Sequence, residues 1–114
     1  MSKSLYNLEE FNEVINNQDV NRLVIIFYTA SWCGPCKYIY PLIEELCVRV
    51  PHIYIFKVDV DNDGEGEENK ISSVTGVTSM PTFHFYKNKK NIDELCGANK
   101  IELLQKIKIH SCII

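Results

Sequence analysis

The feature that most constrains the fold is a strand followed at once by a long helix. The run from Leu23 to Tyr28 is apolar throughout and rich in β-branched and aromatic residues, which is typical of a central strand covered on both faces. Apolar residues then recur at helical spacing from Ile39 to Val50, interrupted by Pro41. The pattern predicts a buried strand that leads into a helix kinked at Pro41.

Strands and helices alternate along the rest of the chain. The periodicities predict helices over residues 8–17, ahead of Gly76 and after Asn99, and strands over residues 3–6, 52–60, 82–87 and 91–96. The last two strands flank a turn and form an antiparallel hairpin. In the last helix, one apolar stripe carries Ile101 and Leu104, and Leu103 and Ile107 lie beside it. This order predicts an α/β fold, with one mixed sheet of about five strands flanked by about four helices.

Residues 61–69 differ in composition from the rest of the chain. They hold five acidic residues and two glycines and lack large apolar side chains. We therefore expect a flexible loop that is not anchored to the core.

Length and charge limit the possible partners. With 114 residues, we expect one domain over residues 1–114. The formal net charge is −3 and no block of basic residues is present, so nucleic acid is not an expected partner. The apolar runs are far shorter than the roughly 20 residues that a membrane helix needs, and residues 1–20 do not resemble a signal peptide. Five cysteines cannot all pair, which favours a reducing compartment such as the cytoplasm.

The strongest chemical signal is Cys33-Gly34-Pro35-Cys36, at the junction of the predicted strand and helix. A cysteine at a helix N-terminus meets unpaired N–H groups and the positive end of the helix dipole, and both stabilise a thiolate. We therefore expect Cys33 to be the exposed nucleophile. Cys36 lies one turn into the helix, is more enclosed, and is expected to be the resolving thiol that closes a disulfide with Cys33.

The other cysteines and the histidines have simpler interpretations. A zinc site with His110 and Cys112 as the remaining ligands is an alternative, but Pro35 between the thiols and the absence of a second compact pair argue against it, and no metal is expected. Cys47 falls on the apolar stripe of its helix. Cys96 precedes Gly97, so packing and a redox role both remain open.

At these residues the chain resembles the thioredoxin family. Trp32-Cys33-Gly34-Pro35-Cys36-Lys37 matches the active-site string of that family, and Met80-Pro81-Thr82 matches its cis-proline turn. The resemblance covers roughly residues 5–110. Thioredoxins are themselves a standard example of a lowered thiol pKa in a Cys-X-X-Cys motif, so that shift is an implication of the resemblance.

The resemblance implies a fold, an activity and a set of site residues. It implies the thioredoxin fold and a protein disulfide reductase that needs no bound cofactor and is regenerated by an NADPH-dependent thioredoxin reductase. We expect a monomer that acts on protein disulfides. Pro81 is implied to be cis. A flat apolar collar around Cys33 is implied to bind substrate, formed by Trp32, Gly34, Pro35, Met80, Pro81, Gly97 and Ala98.

One position departs from the family pattern. Phe27 stands where the family has a buried Asp that takes or relays the proton of the resolving thiol. Lys57, which usually faces that Asp, is expected to turn to solvent or to Asp59. The resolving step is therefore expected to be slower than in relatives, unless water or Asp59 serves as the base. The alternative function is a binding or scaffold module that keeps the fold and the collar but turns over poorly.

Overall fold

The computed structural model describes residues 2–17 and 21–111. Within these residues, five strands form one sheet: β1 (Lys3–Ser4), β2 (Val24–Thr29), β3 (Tyr54–Asp59), β4 (Thr82–Lys87) and β5 (Lys90–Cys96). Helices pack on the sheet: α1 (Leu8–Asn16), α2 (Gly34–Arg49), α3 (Ile71–Val74) and α4 (Lys100–His110). The predicted order of strands and helices is confirmed, with boundaries that move by one or two residues.

The sheet is mixed and β2 lies at its centre. The strand order is β1-β3-β2-β4-β5. The first three strands in this order are parallel, whereas β4 runs antiparallel to both β2 and β5. Ile25, Ile26 and Phe27 have no exposed surface. The prediction that the apolar run is a central strand covered on both faces is therefore confirmed.

Helices cover both faces of the sheet. The ring of Phe11 in α1 packs edge-on against Tyr86, with ring centroids 6.0 Å apart. The ring of His110 in α4 lies 5.9 Å from that of Phe85. Because Phe85 and Tyr86 are neighbours in β4, their side chains point to opposite faces. The sheet is thus buried between α1 on one side and α4 on the other.

Only one of the two predicted stripes of α4 packs against the core. Leu103 and Ile107 are buried, whereas Ile101 is 72% exposed and Leu104 is 42% exposed. The difference arises because both stripes satisfy helical periodicity, and only the position of the helix on the sheet selects one of them.

The expectation that residues 61–69 lack an anchor is wrong. Asp63 has no exposed surface. Its Oδ2 accepts the backbone N–H of Ser72 at 2.8 Å, and its carbonyl oxygen accepts that of Ile71 at 3.2 Å. A buried carboxylate that caps the start of α3 therefore anchors this acidic segment, which an analysis based on large apolar side chains overlooks.

A charged cluster holds the end of α4 on β5. Asp93 accepts hydrogen bonds from Lys106 at 2.9 Å and from the His110 Nε2 at 2.8 Å. Lys87 donates to the His110 carbonyl oxygen at 2.8 Å. Partial burial disfavours the charged carboxylate, but the hydrogen bonds from His110 and Lys106 outweigh this and lower the pKa of Asp93 to about 2.

Asp93→Asn is expected to lower the free energy of unfolding at neutral pH by about 1–2 kcal/mol, after allowance for solvent screening. Because the folded-state pKa lies below the usual value of 3.8, the stabilisation is present above about pH 4 and is lost as the pH falls towards 2. Urea unfolding of both proteins along this pH range measures the difference. A difference that stays constant down to about pH 2 would contradict the assigned role of the carboxylate charge.

Candidate active site

The cysteine pair lies where β2 leads into α2. Cys33 is the N-cap residue of α2, with an extended backbone (φ −92°, ψ 107°), and its N–H donates to the Ala30 carbonyl oxygen at 3.1 Å. Pro35 occupies the first turn of the helix, where its missing N–H leaves no intrahelical bond unmade. The local sequence thus turns the chain from the sheet edge into the helix with Cys33 at the junction.

Cys33 and Cys36 are joined by a disulfide. Their Cα atoms are 5.3 Å apart, a usual separation for a disulfide. The Cys36 backbone N–H donates to the Cys33 Sγ at 3.2 Å. A helix N-terminus carries partial positive charge, so this N–H and the helix dipole would stabilise a thiolate on Cys33 in the reduced protein. The pair can therefore accept and return two electrons.

Both cysteines are buried in this oxidised form. The exposed fraction is 4% for Cys33 and 2% for Cys36. The expectation of an exposed Cys33 is therefore wrong for the disulfide, because the first turn of α2 and the neighbouring loop enclose the closed ring. The two exposed fractions are too similar to rank the cysteines by enclosure.

A recess of about 370 Å³ opens beside Cys36. Its walls come from the end of β2, from α2 and from β3, and they include Thr29, Cys36, Lys37, Tyr40, Lys57 and Asp59. The recess thus combines the Cys36 sulfur, which is a thiol in the reduced protein, with a phenol, two ammonium groups and one carboxylate. Most of the exposed lining is apolar, but these groups provide several polar partners for water beside the inner cysteine.

Lys57 has a different partner from the two expected for it. Its Nζ lies 5.2 Å from the centroid of the Tyr40 ring, a cation–π contact between β3 and α2. The side chain is half-buried, and no ion pair forms between Lys57 and Asp59, which both belong to the described residues. The alternative that Lys57 pairs with Asp59 is therefore wrong, and the half-buried ammonium group instead contacts the Tyr40 ring at the wall of the solvent-open recess.

Phe27 fills the core on the same sheet face as Lys57. It pairs in register with Lys57 on one side and with Phe83 on the other. The rings of Phe27 and Phe83 are stacked, with centroids 5.1 Å apart and an interplanar angle of 12°. The position is therefore closed to water and occupied by packed aromatic carbon, as its burial without exposed surface also indicates.

Two further segments of the predicted collar meet at the start of β4 and the end of β5. The Met80–Pro81 peptide bond is cis, as expected. The Gly97 N–H donates to the Pro81 carbonyl oxygen at 2.8 Å. Gly97 has a φ of +102°, a conformation that L side chains rarely adopt. Thr82 pairs with Tyr28 near the end of β2, which brings this turn to the sheet edge from which Cys33 follows.

Trp32 is 65% exposed beside the cysteine pair. Its Nε1 donates to the Asp61 Oδ2 at 2.8 Å. Asp61 was not among the residues predicted for the site. The available signal is its place two residues beyond the end of β3, because β3 and β2 are parallel neighbours whose carboxyl ends meet at one edge of the sheet.

Tyr38 and Lys100 form a second contact that the sequence analysis missed. The Lys100 Nζ lies 4.1 Å from the centroid of the Tyr38 ring, and Tyr38 is 61% exposed. Both residues line a shallow depression of about 450 Å³ together with Ala98 and Ile101. The contact joins the second turn of α2 to the first residue of α4, so it places Ala98 of the predicted collar next to an aromatic and basic rim.

Within the described residues, Cys47 and Cys96 are free thiols. Cys47 is half-buried against the core, and burial raises the pKa of its thiol, which supports the packing interpretation. Cys96 is exposed, and its Sγ lies 3.8 Å from the Thr82 hydroxyl oxygen, which donates to it. Cys112 falls outside the described residues.

Two further features, a metal site and a membrane-spanning helix, concern residues 2–17 and 21–111. In this part of the chain, no three His, Cys, Asp or Glu side chains are grouped so that they could hold a metal ion. His110 is bound to Asp93. The same residues include no helix that is both long and apolar enough to cross a bilayer.

Comparisons with known proteins agree with this geometry. The thioredoxin family matches residues 3–109. Thioredoxin H-type 1 of Nicotiana tabacum is 39% identical over 93% of this chain and 81% of its own length. Thioredoxin of Ictalurus punctatus is 42% identical over 91% of this chain and 94% of its own length.

Solved structures show the same similarity. The structure of Fasciola hepatica thioredoxin is 36% identical, with a TM-score of 0.86, over 95% of this chain and 98% of that one. Plasmodium falciparum thioredoxin is 39% identical, with a TM-score of 0.81, over 94% and 97% of the two chains. With the Cys33–Cys36 disulfide at the N-terminus of α2, these matches show that the chain belongs to the thioredoxin family and is a thiol–disulfide oxidoreductase that reduces protein disulfides.

Proposed function

We propose that Cys33 attacks the substrate disulfide and that Cys36 resolves the resulting mixed disulfide. The observation that carries these roles is the hydrogen bond from the Cys36 N–H to the Cys33 Sγ at the start of α2, because it favours negative charge on Cys33. The position of Cys36 inside α2, rather than at its N-cap, supports its role as the second nucleophile.

The two attacks account for all electrons and protons. The Cys33 thiolate attacks one substrate sulfur, the substrate S–S bond breaks, and a substrate thiolate leaves with a proton from solvent. Cys36 then loses its proton and attacks the Cys33 Sγ. The mixed disulfide breaks, the second substrate thiol is released, and the Cys33–Cys36 disulfide remains as the product of a two-electron oxidation.

The substrate-binding role of the collar is part of this proposal. Its proposed members fall into two groups, one at the β2–α2 junction and one beside the ends of β4 and β5; they are Trp32, Gly34, Pro35, Met80, Pro81, Gly97 and Ala98. Support comes from the exposed face of Trp32, which Asp61 holds in place, and from the bond between Gly97 and Pro81. A flat apolar rim of this kind accepts varied protein segments around a disulfide.

The proposal extends to partners and location. We propose that an NADPH-dependent thioredoxin reductase returns the pair to the dithiol form, so that the protein carries electrons from NADPH to protein disulfides. The protein would act in the cytoplasm as a monomer and as a single domain over residues 1–114. The relatives named above, two of which are a plant H-type and an animal thioredoxin, support this assignment.

An NADPH-coupled insulin reduction assay tests the proposal. With a thioredoxin reductase present, the oxidised wild-type protein is expected to consume about one NADPH per chain on its own and to sustain consumption only when insulin is added. A chain with both Cys33→Ser and Cys36→Ser is expected to show only the background rate. A matched control replaces Cys47 and Cys96 with serine and is expected to keep the wild-type rate. Turnover that depends on Cys47 or Cys96 would contradict the assignment, and binding of insulin without turnover would favour the scaffold alternative.

A further inference from the structure

The resolving step needs a group that takes the proton of Cys36. A thiol is a poor nucleophile until it becomes a thiolate. On the core side of α2, the neighbouring sheet face presents the stacked rings of Phe27 and Phe83, which have no atom able to accept a proton. The acceptor must therefore be another group that lies near the thiol.

The recess of about 370 Å³ lies on the same sheet face as Phe27, beside the end of β3. Cys36 and Asp59 both line it, from α2 and β3 respectively, and Asp59 is the carboxylate among its lining residues. A volume of this size holds several water molecules, since each takes about 30 Å³ in the liquid. The recess thus has room for water between the Cys36 sulfur and the Asp59 carboxylate, which both line it.

The other charged or titratable groups around the recess do not compete for the proton. Lys37 and Lys57 are ammonium groups and have no acceptor lone pair. The Tyr40 ring is engaged by Lys57. Asp61 lies beyond the recess, with its Oδ2 bound to the Trp32 indole N–H.

The Asp59 carboxylate is held in place and keeps one oxygen free. Its Oδ1 accepts the Asp61 backbone N–H at 3.0 Å, which fixes the side chain at the end of β3. Within the described residues, its Oδ2 accepts no hydrogen bond from protein groups. One oxygen positions the carboxylate and the other is available to water in the recess.

We propose that Asp59 is the base for the resolving step and receives the Cys36 proton through water in this recess. The proposal rests on the two-cysteine mechanism proposed above and deepens it. The Cys36 S–H bond breaks, the proton passes to the Asp59 carboxylate, and the electron pair stays on sulfur. The Cys36 thiolate then forms the bond to the Cys33 Sγ while the bond from Cys33 to the substrate sulfur breaks. The departing thiolate takes a proton back from Asp59 or from solvent.

The test separates the two attacks with a coloured aromatic disulfide, 5,5′-dithiobis(2-nitrobenzoate). All variants carry Cys47→Ala, Cys96→Ala and Cys112→Ala, so that only the pair reacts. In stopped flow, attack by Cys33 releases the first thionitrobenzoate in a phase that depends on reagent concentration. Attack by Cys36 releases the second in a phase that does not.

Asp59→Asn is expected to leave the first phase unchanged and to slow the second about tenfold near pH 7, less than a general base usually contributes because solvent also reaches the thiol. The difference is expected to close above about pH 9, where a thiol ionises without help. Asp59→Glu keeps a carboxylate and is expected to recover most of the rate. Glu65→Gln, the matched control, removes one exposed acid of the 61–69 segment and is expected to behave as the wild type.

Each other outcome decides against the proposal. An Asp59→Asn second phase as fast as that of the wild type would overturn it. Slowing by the same factor at every pH, or failure of Asp59→Glu to recover the rate, would assign Asp59 a structural role instead. A wild-type protein that shows no second phase would overturn the two-cysteine function and this proposal with it, and that result is visible before any Asp59 variant is compared.

Discussion

Cys36→Ser is expected to turn the protein into a trap that stays covalently bound to its substrates. The first attack needs only Cys33, whose thiolate is favoured by the Cys36 backbone N–H, and that N–H survives the substitution. The second attack is lost with the Cys36 thiol, so mixed disulfides accumulate. On non-reducing gels of a cell extract, followed by mass spectrometry, we expect many-fold more Cys33-linked proteins than with the wild type.

Cys33→Ser supplies the matched control for the trap. The remaining Cys36 is 2% exposed in the oxidised protein and is not at the N-cap, so we expect neither trapping nor insulin reduction. Cys36 as the trapping residue would reverse the two roles. Adducts on Cys96, which is exposed, would reveal a second reactive thiol at the edge of the collar.

Phe27→Asp is expected to cost about 4 kcal/mol of unfolding free energy at neutral pH. Removal of a fully buried phenyl ring costs roughly 3–5 kcal/mol, and here the stack on Phe83 is lost as well. The new carboxylate would lie in a site without solvent, which adds a penalty unless it is paired or protonated. Since small domains are stable by only about 5–15 kcal/mol, thermal unfolding should shift down by well over ten degrees.

Stability as a function of pH separates the charge from the lost packing. Burial raises the pKa of an unpaired carboxyl, so the deficit of Phe27→Asp should be smallest below about pH 4 and should grow as the pH rises through the folded-state pKa. Phe27→Leu keeps an apolar side chain and is expected to cost about 1 kcal/mol at every pH. A Phe27→Asp deficit below about 1 kcal/mol would mean that Lys57 leaves the Tyr40 ring and pairs with the new acid.

Local patterns in the sequence suffice for the elements that carry the site. The apolar run around Phe27 identifies a covered strand, and Pro35 and Pro41 mark the first turn and the interior of the helix that follows. Both patterns depend on the spacing of near neighbours, which the chain carries wherever it folds. For the same reason, the spacing of Cys33 and Cys36 was enough to predict a disulfide within one turn of helix.

Contacts between distant segments depended on the assembled sheet. The Trp32–Asp61 bond joins residues 29 positions apart, and it exists because β2 and β3 run parallel and end at the same edge. The sequence likewise did not identify which of the two apolar stripes of α4 is buried, because helical periodicity does not say which stripe meets the sheet.

The partners of polar groups could not be predicted from the sequence either, as Asp63 and the recess beside Cys36 show. Composition marks the 61–69 segment as solvated, yet Asp63 is buried because its carboxylate satisfies a backbone N–H at the start of α3. Asp59 and Cys36 line one recess only after α2 crosses β3. Periodicity records which residues avoid water, whereas the partner of a polar group is set by where another segment places a donor, an acceptor or a ring, and that placement is a property of the packed chain.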